Sequence, residues 1–133
     1  MKNLEKDIYE FLENRGWENL RPSDLAKSLS IETAELLELF QWSNESLSEV
    51  KQDEDKLAEV KKEIADIFIY AYELTILLEL DTERVIYDKL EKISEKYPPE
   101  LMKQRAETDT GSGNDSNYWQ IKRKYRQNKN NSD

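Results

Sequence analysis

The stretch LAKSLSIETAELLELFQW, residues 25–42, read beside EIADIFIY at 63–70, decides the fold. Along a helix each residue advances about 100° around the axis. With Glu32 at zero, Glu35 lies about 60° away, and Leu25, Leu29, Leu36 and Leu39 fall around the pair. Glu38 falls about 120° from Glu32, at the margin of that apolar stripe. In the second stretch Glu63 and Asp66 share a face with Val60, Ile67, Tyr70 and Leu74, and Glu59 lies close to it. Each segment is therefore a helix that carries a pair of acids inside its apolar face, where an unpaired charge is costly.

Outward from these two segments the periodicity stays helical. Leu4, Ile8, Phe11 and Leu12 predict a first helix over 2–14, closed by Asn14-Arg15-Gly16. A loop from Trp17 to Arg21 leads to Pro22 and Ser23, a helix start, and the second helix runs to about Trp42. Residues 43–53 are polar and read as irregular or as a short turn. A long third helix spans about 54–79, and a fourth, capped by Asp81 or Thr82, spans about 83–96 until Pro98-Pro99 stops it. ETDTGSGNDSN at 107–117 is a polar linker, and YWQIKRKYR a short basic helix. The expected fold is all-α, an antiparallel four-helix bundle over 1–106, with the linker and basic C-terminal helix in 107–133.

Composition agrees and excludes much. Hydrophobic and charged residues each make up 37% of the 133 residues, with only 3 Gly and 3 Pro, as suits helices with highly charged outer faces. There is no Cys and no His. Thiolate nucleophiles, Ser-His triads and His- or Cys-ligated metal sites are excluded, so a bound metal must be oxygen-ligated. No run of 18 apolar residues exists to span a membrane, the N-terminus is not of signal-peptide type, and a cytoplasmic location is expected. The net charge is -9, although residues 116–133 hold five of the 20 Lys+Arg and only one of the 29 Asp+Glu. A body that acidic argues against nucleic-acid binding.

Two arrangements would neutralise the inward acids. Salt bridges to Lys or Arg are the simpler, though the inward faces offer few basic residues. Alternatively, residues three apart on a helix are neighbours, and two such pairs on antiparallel helices can converge on one hard cation.

In order, Glu32-x-x-Glu35, FQW at 40–42, Glu63-x-x-Asp66 within EIADIFIY, and KYP at 96–98 resemble the MazG-like nucleotide pyrophosphohydrolases, especially the branch with the dCTP pyrophosphatases. The resemblance covers about residues 4–98. It implies a helical bundle completed by oligomerisation, as a homodimer or homotetramer. It also implies a Mg²⁺-dependent activity, with Mn²⁺ a possible substitute, that hydrolyses a (d)NTP to the monophosphate and pyrophosphate in nucleotide-pool housecleaning. Glu32, Glu35, Glu63 and Asp66 would bind the metal, and Glu38 or one of those acids would take the proton of the attacking water. Trp17, Trp42 and Tyr70 match positions that surround the nucleoside, with the loop to Arg21 close by. Lys89, Lys92 and Lys96, along one side of the fourth helix, would neutralise phosphate charge.

The dCTP-hydrolysing relatives carry a histidine in the first helix and an asparagine before KYP, where this chain has Ile8 and Ile93. Polar groups of that kind supply base discrimination, so the resemblance leaves the base open. The reading of a different class is a non-catalytic helical interaction module whose carboxylates are structural.

Overall fold

The computed structural model describes residues 3–106 and 116–130. Every regular element among them is an α-helix, seven in all. The chain divides into two compact units, Met1–Thr82 and Glu83–Asp133. No described helix is long and apolar enough to cross a membrane.

In the first unit, α1 (Leu4–Glu13) starts at Asn3, whose side chain accepts the Lys6 backbone N–H at 3.2 Å. It buries Ile8 and Leu12. Its end is set by Gly16, whose φ of +67° is the left-handed conformation that favours glycine. Around that residue Trp17 N–H donates to the Leu12 carbonyl and Gly16 N–H to that of Glu13, the paired bonds of a Schellman turn. The turn carries Trp17 back against Phe11, with ring centroids 6.0 Å apart and edge to face.

The second helix, α2 (Pro22–Glu38), opens with Pro22 in its first turn, where the missing N–H costs no intrahelical bond. It ends four residues before Trp42, and Leu39–Trp42 form turns. Residues 43–53 contain a short helix, α3 (Leu47–Gln52), begun by a capping box: Ser46 Oγ accepts from Glu49 N–H, and Ser46 N–H donates to the Glu49 carboxylate. Asp53 stops α3 in an extended conformation and caps α4 (Glu54–Leu77) by accepting the Lys56 N–H at 2.9 Å. Lys56 also pairs with Glu45 and donates to Ser43 Oγ, which ties the intervening loop to the start of α4.

The long α4 is the hub of this unit, and α1, α2 and α3 all pack on it. Its apolar core among the described residues is thin: Ile8, Leu12 and Leu25. Three polar side chains are equally buried, namely Glu63, Glu73 and Thr82. The Thr82 hydroxyl lies 2.7 Å from that of Thr75, so it is satisfied.

Helix α5 (Thr82–Lys96) begins at the unit boundary, and α6 (Pro99–Ala106) and α7 (Ser116–Asn130) lie wholly in the second unit. Pro99 is the first residue of α6, so the Pro pair both stops one helix and starts the next. Tyr97 stacks on Tyr118 at 5.5 Å, and Lys96 lies over the Tyr97 and Tyr125 rings. The basic C-terminal helix is longer than expected and already includes Ser116 and Asn117. Positions 107–115 of the expected linker lie outside the described residues.

Candidate active site

Where α2 crosses α4, Glu32 from α2 meets Glu63 and Asp66 from α4, and one carboxylate oxygen of each lies within 4.8 Å of the others. Residues three apart put Glu63 and Asp66 on the same side of α4. Glu63 is almost fully buried, whereas Glu32 and Asp66 are half-buried. Glu63 Oε1 accepts from Lys62 Nζ at 3.0 Å, and its Oε2 is buried with no hydrogen-bond partner. Such an orphaned oxygen carries the desolvation cost of a polar group unless something coordinates it.

The electrostatics point the same way. Loss of hydration, and then the Glu35, Asp66 and Glu63 carboxylates, push the Glu32 carboxyl above its usual range, with only Lys62 opposing them. Lys62 in turn holds its proton more tightly because of its hydrogen bond to Glu63. The exposed ammonium of Lys62, paired with Glu63, is thus the one cation set against the carboxylates around Glu32 among the described residues. An all-oxygen donor set of excess negative charge fits a hard divalent cation and does not fit a soft one.

Glu35 stays exposed on α2, outside this trio, yet near enough to raise the Glu32 pKa. Glu38, the last residue of α2, is also exposed and outside the trio.

Beside the acids lies a cavity of about 380 Å³. Asp66 forms part of its wall, together with Phe11, Trp17, Tyr70 and Ile69, and Glu73. Arg15 fixes the Phe11 wall from outside, donating to the Phe11 carbonyl at 3.0 Å with its guanidinium 3.8 Å from the ring centroid. Trp17 and Tyr70, expected near a nucleoside, therefore line one cavity with a carboxylate of the acidic trio. Arg21 is exposed at the start of α2, and Trp42 is 90% exposed; neither lines this cavity. Lys89, Lys92 and Lys96 come together in the second unit, where with Tyr97, Tyr118 and Lys122 they line a separate groove. Ile8 is a core residue of α1.

The sequence reading missed Phe11 and Glu73 as wall residues. Glu73 could have been found: it lies seven residues after Asp66 and three after Tyr70, hence on their face of the helix.

A sequence model of the MazG-like family matches residues 27–110, more than half of the chain. The chain belongs to the MazG-like family. Within it, this MazG-like chain falls in the branch that includes the dCTP pyrophosphatases. It is 30% identical over 100 residues to dCTP pyrophosphatase 1 of Rattus norvegicus, covering 73% of this chain and 58% of that protein. It is also 30% identical over 99 residues to dCTP pyrophosphatase 1 of Bos taurus, covering 73% of this chain and 59% of that protein. The match thus spans less than two thirds of these curated relatives. Among solved structures, a pyrophosphatase from Archaeoglobus fulgidus is similar at 42% identity and a TM-score of 0.62, over 71% of this chain and 89% of that one.

Proposed function

We propose that this MazG-like chain is a Mg²⁺-dependent nucleoside triphosphate pyrophosphohydrolase, converting a (d)NTP and water to the monophosphate and pyrophosphate. The observation that carries this reading is the convergence of Glu32, Glu63 and Asp66, with one buried orphaned oxygen, at the edge of an aromatic cavity. Such a layout has an anionic end to receive phosphates through a cation and an apolar end to receive a nucleoside. The pyrophosphatase relatives support the same reading.

Glu32, Glu63 and Asp66 would hold the cation, with Glu35, one turn along α2, as the fourth ligand. When bound, Mg²⁺ (or Mn²⁺ in its place) neutralises phosphate charge and lowers the pKa of water. The chain's own residues do the rest. The nucleoside packs between Phe11, Trp17 and Tyr70, which fixes the α-phosphate near the acids. A carboxylate, Glu38 or a member of the acidic set, takes the proton as the water oxygen bonds to the α-phosphorus and the bond to the β-phosphate oxygen breaks. Positioning and charge neutralisation dominate such a transfer, so no protein nucleophile is needed. Residues 1–106 would form the catalytic part, and Arg21, Trp42, Lys89, Lys92 and Lys96 would complete the substrate shell in a homodimer or homotetramer. Nucleotide-pool housecleaning in the cytoplasm is the role we assign to it.

A nucleotide panel with product identification tests the proposal. Pyrophosphate, and not phosphate, is expected from at least one (d)NTP with Mg²⁺, with loss on chelation. Glu63→Gln should lower that rate by at least 100-fold while the helical circular dichroism is kept. If the wild-type protein with Mg²⁺ releases no pyrophosphate from any member, the chain is instead a helical module with structural carboxylates.

A further inference from the structure

Glu73 is 4% exposed, lies on the α4 face that lines the aromatic cavity, and is two turns of helix beyond Asp66. Among the described residues no charge or hydrogen bond compensates its burial. A carboxyl in that condition is normally paired. It is not one of the acidic trio, yet it lines the same cavity as Asp66, the member of the trio that forms part of that wall. The spacing suits a nucleotide, because Asp66 and Glu73 are separated by about 10 Å along the helix axis at 1.5 Å per residue.

We infer that Glu73 is a specificity-determining residue that reads the nucleobase, accepting a hydrogen bond from an exocyclic amino group and so favouring amino-bearing bases over their oxo counterparts. This rests on the nucleotide reading above. Carboxylates accept from such amino groups, as they do from cytosine N4. An ionised carboxylate offers acceptors only. Guanine gives it two adjacent N–H donors, at N1 and N2. Cytosine and adenine give it the amino group, and their neighbouring ring nitrogen matches a neutral acid that donates its O–H. Uracil and thymine offer a single N–H flanked by two carbonyl oxygens, which an acceptor repels. Burial alone raises the Glu73 pKa, a shift toward the neutral form. Phe11, Leu20 and Ile69 contribute contact area without base preference, and of the other polar wall groups Asp24 is already paired with Lys27 at the exposed start of α2, so Glu73 is the buried, unpaired carboxyl on this wall among the described residues.

The test is calorimetric binding of deoxynucleoside monophosphates in matched amino and oxo pairs, dCMP with dUMP, dAMP with dIMP and dGMP with dXMP, to the full chain with Mg²⁺ present. Wild-type protein is expected to bind the amino member of at least one pair about tenfold or more tightly. In Glu73→Leu that advantage should fall to about twofold or less. In the isosteric Glu73→Gln, whose amide can turn its N–H toward a carbonyl, the oxo member should gain. The Gln variant decides the matter if the Leu variant does not fold. Equal binding within every pair by the wild type, or an unchanged preference in the folded variants, overturns the assignment and leaves Glu73 a structural acid. Monophosphate binding requires no hydrolysis, so a chain that discriminates bases but releases no pyrophosphate refutes the proposed reaction and not this residue's role.

Discussion

Glu63 and Glu73 are equally buried on α4, but their surroundings differ. Glu63 has Lys62 on one oxygen and two further acids nearby, whereas Glu73 has neither a cation nor a donor among the described residues. The consequence for Glu73 is a stability that depends on pH. Its folded-state pKa is raised above the usual 4.5 by burial alone. Below 4.5 the group is protonated in both folded and unfolded chains and costs nothing. As pH rises past 4.5 the unfolded chain ionises first, so stability is lost progressively until pH passes the raised folded value. Glu73→Gln removes this term. Urea unfolding of the two proteins at a series of pH values should therefore show the variant gaining on the wild type as pH rises above 4.5, with the gain levelling off once pH passes the raised folded value. A difference that does not change with pH would mean that Glu73 ionises as freely in the fold as in water. The facing argument groups Glu32 with Glu35 and Glu63 with Asp66, because helical period is a property of one segment, and of these four Glu32, Glu63 and Asp66 converge. The exposure of Glu35 was not legible, since it depends on where α4 crosses α2, which no single segment encodes.

At the scale of elements, local signals account for most of the boundaries. Periodicity placed the third expected helix at about 54–79, and α4 runs from Glu54 to Leu77, held at its start by the Asp53 cap. Helix α3 was missed because six residues are too few to display a period, although the Ser46-x-x-Glu49 box announces it. The end of α4 breaks a local preference: Glu79 adopts φ of 57° while Leu80 N–H donates to the Thr75 carbonyl at 2.9 Å and Glu79 N–H to that of Ile76 at 3.0 Å. This is the same Schellman arrangement that closes α1, but here a side chain occupies the left-handed position that Gly16 fills there. A left-handed non-glycine residue costs about 1–2 kcal/mol. Glu79→Gly should therefore stabilise the protein by about 1 kcal/mol, allowing for the greater freedom of glycine when unfolded. An unchanged or lower urea midpoint would show that the Glu79 side chain contributes more than its backbone strain costs.

At the scale of the whole molecule, the first unit buries too little apolar surface for its composition. Three apolar side chains form its core among the described residues, while Phe68 is 58% exposed, Leu37 63% and Leu47 80%. Trp42, at the end of the turns after α2, is the most exposed large side chain of the set. Isolated apolar residues on a surface are ordinary, but a concentration of them on α2 and α4 beside a thin core is a surface that association would cover. Small domains gain most from such association, because the fraction of surface they can bury alone is low. The expected result of light scattering at micromolar concentration is a mass at least twice 15.8 kDa. Phe68→Glu adds a charge at a position that one chain leaves largely in contact with water. In a monomer this change should alter stability by less than about 0.5 kcal/mol, as for most surface substitutions. In an oligomer that covers Phe68 it should lower the measured mass to that of one chain, depress the melting temperature, and make the melting of the wild type alone depend on protein concentration. Loss of activity in the dissociated variant would further place part of the substrate shell, Trp42 included, in the hands of the partner. A wild-type protein that scatters as one chain at every concentration would refute the association and leave α2 and α4 with an apolar face open to water.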